Sequence, residues 1–592
     1  MNVLLISLPG IYPSFPAVGL EMIAQGLREK GHSPTVIHGH LEIVEFVDGR
    51  LLRSLCQQNV WDLFYSSLVY PNAKVGLRSK SVLTMLTSPS QSYQLTEDEL
   101  VIMASAIARF NHHLIRRMAA FPAPSLIGFN VQNNQLLLAK YFAREAKAMW
   151  GEAVLTVVGG ASVRDGLGKS IIIHHPEFDF ASEGNGVQGI DEILSGKRTP
   201  KIPGFFFRGT DRKPAAGEAD CVRGERIKES DLNYDEFYAQ RKRYEKTHDF
   251  SVFHPWDGIP AMLASGCRWS RCRFCNLREK HVPFSTRAVC ASIGRRSRAT
   301  GISKVFLLDL SQPSSRILRA FFRELERQHA TYLFGAMFRC EIHKKDIIRF
   351  RKNGLDICHL GIESYSDRLL QKMNKGVRLI DIVQTLITCV EEGVRCEGNL
   401  LVNLPWENAE DVAETGRNLT LLSHLPLPRI ISYKLSHGSI AYHSPVPDHR
   451  FNWVPEPELR YAYPPHIRES VETMYYSQRR PRLHHERLWL EVIKKYRHYM
   501  LYPPHLLYEV FRDGLLIHDT RDLAVKKRWF CPGAFAARIY QYCRDIHTRA
   551  QIDHHFPSVP ETEIAQMLRS FVSRKIMIQS DDRFLSIALR RT

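Results

Sequence analysis

Leu263-Ala-Ser-Gly-Cys267-Arg-Trp-Ser-Arg-Cys272-Arg-Phe-Cys275-Asn-Leu277 is the stretch that decides how the rest of this chain is read. Its three thiols follow an apolar run that predicts a strand, so one loop carries all of them to a single centre. Gly266 permits a tight exit from that strand, and Phe274 is placed to pack over the site. A fourth cysteine would close a structural site, whereas three leave one iron of a four-iron cluster open to a substrate or cofactor. The spacing also admits zinc, with Cys290 or His281 as fourth ligand, because C-x2-C pairs occur in zinc ribbons; the usual second C-x2-C pair is absent. Cys290, Cys340, Cys358, Cys389 and Cys396 read as small buried hydrophobes.

Outward from the loop, strands are predicted at Ala261 to Ala264, Lys304 to Leu308, Leu333 to Met337, Ile357 to Gly361, Gly398 to Asn403 and Arg429 to Lys434. Helical patterns separate them, which predicts a partial (β/α)6 barrel over 256–440. Upstream, residues 1–200 alternate strands and helices as a doubly wound α/β unit, interrupted by a helical insert at about 41–121. Its predicted strands run into Asn130, Gly159-Gly160 and Glu183-Gly184, and Pro13 and Gly19 lie at its first turn. Glycines directly after strands suit close approach of a ligand to backbone, and they also suit ordinary turns. Residues 201–255 read as a linker holding one small strand, Gly204 to Arg208. Residues 441–592 read as mostly helical, ending in a winged-helix-like unit from about Gly533.

A chain of 592 residues needs more than one core. No basic leader precedes the first apolar run and no long apolar stretch appears, so export and membrane spanning are not expected, and a cytoplasmic location is. Twelve cysteines in a chain this long fit a metal site plus buried thiols in a reducing compartment. The net charge of +18 fits nucleic acid, an acidic peptide or a solvated exterior; its basic residues are scattered apart from clusters such as Arg295, Arg296 and Arg298.

The cysteine loop resembles that of the radical S-adenosylmethionine (SAM) superfamily, although its first spacing is four residues where three is usual. Further motifs match in order: Leu307-Leu-Asp309, Arg339, His359-Leu-Gly361-Ile-Glu363-Ser364, Met373-Asn-Lys375-Gly376 and Asn399 to Glu407. The resemblance implies a 4Fe-4S cluster on Cys267, Cys272 and Cys275. It places Phe274, Asp309, Arg339 and Glu363 near bound SAM, and Glu407 on the loop after the fifth strand. The first 200 residues are similar to the cobalamin-binding domain of one branch, most closely the branch that matures ribosomally made peptides. Pro13-Ser-Phe-Pro16, Gly159-Gly160, Glu183-Gly184, Tyr234-Asp235-Glu-Phe237 and Ile517-His-Asp519-Thr520-Arg521 carry that likeness. Where relatives often show Gly-Glu-Gly-Glu, this chain has Glu183-Gly-Asn185-Gly. D-x-H-x-x-G is absent, so no histidine ligand to cobalt is expected, and His38 and His40 read as loop histidines.

These likenesses imply reductive cleavage of SAM to a 5′-deoxyadenosyl radical, hydrogen abstraction from an unactivated carbon, and methyl supply from methylcobalamin. The expected function is C-methylation of a peptide or natural-product precursor, served by a one-electron reductant such as flavodoxin or ferredoxin. Two other readings stand beside it: a cobalamin-domain relative performing cyclisation or ring contraction, and a zinc-containing nucleic-acid-binding protein. No positively charged recognition helix supports the last. Tyr433, Tyr442 and His437 lie near the barrel's end, where the tyrosines read as packing residues.

Overall fold

The computed structural model describes residues 1–591 except 59, 79–81, 83–85, 87–94, 133, 185, 198–201, 203, 209–213, 217–232, 254–256, 279–280, 310–312, 445–452, 469, 479–484 and 523–526. Asn185 and much of the expected linker, including 217–232, therefore lie outside the described residues.

Apolar runs such as Val3-Leu4-Leu5-Ile6 suit strands covered on both faces, and they form one. The strands are β1 (Asn2–Ser7), β2 (Ser33–His38), β3 (Leu126–Asn130), β4 (Leu155–Gly159), β5 (Phe180–Ser182), β6 (Phe205–Arg208) and β7 (Pro214–Ala216). Their order is β2-β1-β3-β4-β5-β6-β7; the first five are parallel, and β6 and β7 are antiparallel additions. The expected linker strand is thus part of the first sheet, between β5 and the edge strand β7. Phe205 and Phe207 face inward, and Phe205 fills the space that a side chain at Gly189 would need. Between β2 and β3 the described elements are helical. Asp62, on the helix Trp61–Val69, accepts from the Leu137 N–H at 2.8 Å and so ties the insert to the start of the helix Leu136–Trp150.

The second sheet contains β8 (Ile259–Ala261); the short β9 (Ala264–Ser265) and β10 (Val282–Pro283) form a separate hairpin. It continues with β11 (Lys304–Leu307), β12 (Leu333–Arg339), β13 (Leu355–Glu363), β14 (Arg395–Val402) and β15 (Arg429–Ser432), all parallel, in the order β8-β11-β12-β13-β14-β15. Helix starts between the strands are set by short polar side chains. Ser314 and Ser366 accept from the N–H groups of Ile317 and Leu369, and Asn408 with Asp411 forms a reciprocal cap.

Helices supply most of the regular structure after the barrel, joined by strands absent from the sequence reading. β16 (Leu435–Ser436), β17 (Trp453–Pro455) and β18 (Tyr475–Gln478) form one small sheet. β19 (Leu506–Phe511), β20 (Gly514–Asp519) and β21 (Lys527–Pro532) form a meander whose first turn holds Asp513-Gly514, a strong turn signal passed over in the sequence. In the last unit the helix Ala534–Tyr542 precedes β22 (His547–Thr548), two further helices and the hairpin β23 (Met577–Ser580) with β24 (Arg583–Ser586); β25 (Leu589–Arg590) returns to β19. No described helix is long and apolar enough to cross a membrane.

Candidate functional site at the facing sheet edges

The cysteine loop is held at both ends. Asp309, just beyond β11, accepts from the N–H groups of Leu263 and Ala264 at 3.0 and 2.7 Å, and β9 pairs with β10 across the loop's base. Gly266 turns the chain at φ +72° and Ser270 at +49°. The far side rests on the turn 373–376, where Arg273 N–H donates to Met373 O at 2.9 Å and Trp269 Nε1 donates to Asn374 O at 2.7 Å. Gly376, at φ +74°, has no room for a side chain against the Trp269 ring.

All three loop cysteines are half-buried, and two thiols receive backbone N–H groups: Ser270 to Cys267 Sγ at 3.5 Å and Leu277 to Cys275 Sγ at 3.4 Å. Burial pushes the Cys275 thiol up to about 11. Burial also raises Cys272, opposed by Lys375 and Arg339. Thiols in that condition favour a cationic centre that replaces their protons. Cys290 does not belong to the loop group; it is buried in the helix layer, with its Sγ 3.9 Å from Phe321 O.

Lys375 stands at the centre of the barrel's carboxyl edge, although the sequence reading gave it no role. Its Nζ lies 3.3 Å from Glu363 Oε1 and 5.6 Å from the Phe274 ring centroid. The missing side chain of Gly361 makes its space, since a Cβ there would lie 2.8 Å from Nζ. Burial opposes its charge, but Glu363 and Cys272 outweigh that and raise Lys375 above the ordinary lysine value. Arg339 approaches Cys272 Sγ at 3.7 Å, pairs with Glu341 and lies over the Trp269 ring. Cys272, Phe274, Arg339 and Glu363 therefore meet around Lys375.

Asp309 and Glu407 are differently placed. Both Asp309 oxygens are occupied by the loop's backbone, and burial pushes its carboxyl up to about 7. Glu407 accepts from Leu404 N–H at 3.0 Å and from Trp489 Nε1 at 2.8 Å, fastening the helix Glu486–Leu501 to the barrel. Two strand ends are strained: Glu363 closes β13 at φ +64°, and Asn403 follows β14 at +66°. Asn403 also escaped the sequence reading, because backbone strain at a non-glycine residue leaves no compositional mark.

In the first sheet the parallel register aligns Ser7, Asn130, Gly159 and Ser182 along the carboxyl edge. Order reverses between β1 and β3, the place where doubly wound sheets open a crevice. Gly160 is required there by φ +113° and by Val131 O, which lies 2.4 Å from where its Cβ would be. Pro13 is buried in the turn after β1. Gly19, exposed in the first turn of the helix Val18–Glu29, and Gly184, at φ +106°, have open space where a side chain would stand. Glu183 accepts from the N–H groups of Gly166 and Gly168 at 2.8 and 3.0 Å and orders the neighbouring loop; burial pushes its carboxyl up to about 7.

His38 and His40 are not loop histidines. His38 closes β2, and His40 lies in a one-turn helix where its ring bonds Ser7 Oγ and Phe15 O and stacks on Phe237. Burial lowers them to about 3 and about 4, so both are neutral at pH 7. Their cover is tertiary: Phe237, on the helix Asp235–Tyr244, packs against both rings from about 200 residues away.

The two edges face each other. Asn276, next to Cys275, donates to Asp165 Oδ2 at 3.3 Å; Asp165 also fills the space over Gly438, and Phe15 lies against Phe306 of β11. Glu472 N–H bonds Ser170 on the first domain. At this junction His437, Tyr442 and Tyr476 form an aromatic wall, with His437 and Tyr442 ring centroids 4.4 Å apart. His437 is buried and its Nδ1 has no hydrogen-bond partner, so the wall offers a polar atom as well as packing. Tyr433 is a packing residue, wedged between Trp406 and Trp453.

This arrangement matches solved structures across most of its length. A radical S-adenosylmethionine methyltransferase, TsrM, from Kitasatospora setae, solved with cobalamin and a [4Fe-4S] cluster, superposes with a TM-score of 0.55 at 12% identity; 83% of this chain and 90% of that one are covered. The cobalamin-dependent S-adenosylmethionine radical enzyme OxsB, solved with aqua-cobalamin and S-adenosylmethionine, gives 0.51 at 11% identity over 98% of this chain and 82% of that one. The chain has the fold of cobalamin-dependent radical SAM enzymes. No protein-family model matches it. An uncharacterised protein of Methanocaldococcus jannaschii is 32% identical over 84 residues, which is 14% of this chain and 26% of that protein's length.

Proposed function

We propose that this protein is a cobalamin-dependent radical SAM C-methyltransferase acting on an unactivated carbon of a peptide or natural-product precursor. The observation that carries this reading is the meeting of the three-cysteine loop with the carboxyl edge of the first sheet at Asp165, Asn276 and Gly438. Cys267, Cys272 and Cys275 fit a four-iron cluster as its three protein ligands. Their sulfurs are not gathered as three ligand atoms of one ion would be, as suits thiolates that each bind a different corner. The open backbone at Gly19 and Gly184 and the aligned strand ends would fit a planar corrinoid.

When bound, the cluster with SAM supplies one-electron chemistry at carbon, and the corrinoid supplies the methyl group. The chain's own residues do the rest. Lys375 and Arg339 hold positive charge beside the thiolates, and Lys375 steadies Glu363, whose second oxygen is available to an ammonium or ribose hydroxyl. Phe274 and Trp269 shield the loop from water. The wall of His437, Tyr442 and Tyr476 bounds the space between the domains, and His437 Nδ1 is placed to hold a proton or a polar substrate group. The net charge of +18 suits an acidic precursor peptide, and the free cysteines among the described residues suit a reducing compartment and a flavodoxin- or ferredoxin-type donor.

Anaerobic reconstitution with iron, sulfide and hydroxocobalamin tests the reading. About four irons that vanish when all three loop cysteines are replaced by alanine, with cobalamin retained, are expected. Turnover should yield S-adenosylhomocysteine beside 5′-deoxyadenosine; 5′-deoxyadenosine alone would shift the reading to non-methylating chemistry, and zinc in place of iron would end it.

A further inference from the structure

A second group of three cysteines lies outside the barrel's mouth. Cys358 on β13 and Cys396 on β14 are direct partners in the parallel register, and Cys389 comes down on them from the last turn of the helix Leu379–Glu391. Cys358 and Cys389 are fully buried, and Cys396 is half-buried. Their three Sγ atoms lie within 4.8 Å of one another, the one such set of His, Cys, Asp or Glu ligand atoms among the described residues. Cys358 Sγ and Cys389 Sγ are 3.8 Å apart.

That distance has chemical meaning. Two thiolates each bound about 2.3 Å from one ion stand about 3.8–4.0 Å apart across tetrahedral and trigonal geometry, so the pair is already at ligand spacing and the coordination number is set by how many donors are present. The group is also separate from the cysteine loop. Side chains alternate along a strand, so Cys358 faces the helix layer while its neighbour His359 faces the side of Glu363 and Lys375. Arg351, bonded to the carbonyls of Leu355 and Glu392, brings a positive charge to the turn between Cys389 and Cys396. Cys396 is the least buried of the three.

We infer that Cys358, Cys389 and Cys396 form a binding site for one soft, thiophilic metal ion, with trigonal all-sulfur ligation that favours Cu(I) over Zn(II). No fourth ligand atom joins the three among the described residues, and all-thiolate sets select soft ions. Binding replaces the thiol protons, which pass to solvent, and leaves the oxidation state of the ion unchanged. The site does not depend on the function proposed above.

The test uses the full chain, purified without oxygen, and titrates it separately with Cu(I) held by a chromogenic chelator and with Zn(II). Four proteins are compared: wild type, the Cys267→Ser, Cys272→Ser, Cys275→Ser loop variant, Cys396→Ser, and the loop variant with Cys396→Ser added. One tight equivalent is expected in the loop variant, with affinity at least about tenfold lower when Cys396→Ser is added to it; wild type takes up one equivalent more than Cys396→Ser, whose iron uptake is unchanged. Tighter retention of Cu(I) identifies the trigonal site; tighter retention of Zn(II) keeps the site and overturns its coordination. Equal affinity with and without Cys396→Ser in the loop variant, or loss of the equivalent in the loop variant alone, overturns the proposal. Cys358→Ala, which removes the sulfur without adding bulk to the buried layer, provides the second variant if Cys396→Ser unfolds.

Discussion

The two cysteine groups of the barrel differ in every respect except number. Cys267, Cys272 and Cys275 are neighbours in sequence, half-buried, held apart on a loop, and faced by two cations, Lys375 and Arg339. Cys358, Cys389 and Cys396 come from two strands and a helix and crowd together in an apolar layer. An open loop with separated thiols suits a cluster that must leave one position for a ligand, whereas a compact buried trio suits one enclosed ion. The contrast shows that the spacing of donor atoms and their access to solvent, more than donor identity, decide what a set of thiols holds.

Several substitutions break or sharpen that contrast. The largest effect is expected from Cys272→Ala, which removes a ligand beside both cations: iron uptake and any SAM cleavage should fall to background, while Cys396→Ser leaves both intact. Iron analysis and 5′-deoxyadenosine assay read this directly. Asp309→Ala comes next, because it strands the Leu263 and Ala264 N–H groups in a buried place. A loss of about 2–4 kcal/mol in thermal or denaturant unfolding is expected, with poor iron loading. Asp309→Asn keeps one acceptor and should lose about half as much.

Lys375→Met removes the cation that opposes the burial-driven rise of Cys272. Iron reconstitution near neutral pH should slow several-fold and recover as pH rises, a shift readable from cluster absorbance against pH; the buried trio should be unaffected.

Glu407 gives a smaller, pH-dependent effect. Burial pushes its carboxyl from the ordinary 4.5 up to about 7, against the bonds from Trp489 and the loop backbone. The folded chain keeps this proton where the unfolded chain has lost it, so the contribution is full below about pH 4.5 and is lost as pH climbs to 7. Glu407→Gln should flatten that decline by on the order of 3 kcal/mol, measured as unfolding free energy against pH. The least effect on stability is expected from Cys396→Ser, below about 1 kcal/mol for a half-exposed thiol; its consequence is in metal affinity.

The sequence by itself determined what depends on neighbours along the chain. The C-x4-C-x2-C spacing, the apolar runs of parallel strands and the serine and asparagine caps are local, because a loop, a strand and a helix start are each set by a few adjacent side chains. Only the tertiary structure decided what depends on strand order and on helices crossing over sheets. It brought Trp269 to Asn374 across 105 residues and Trp489 to Glu407 across 82, put Lys375 into the space left by Gly361, and covered His38 and His40. It also turned cysteines that read as small hydrophobes into a cluster, since register pairs Cys358 with Cys396 and helix packing adds Cys389. Burial and facing are properties of packed layers, and no local pattern in the chain carries them.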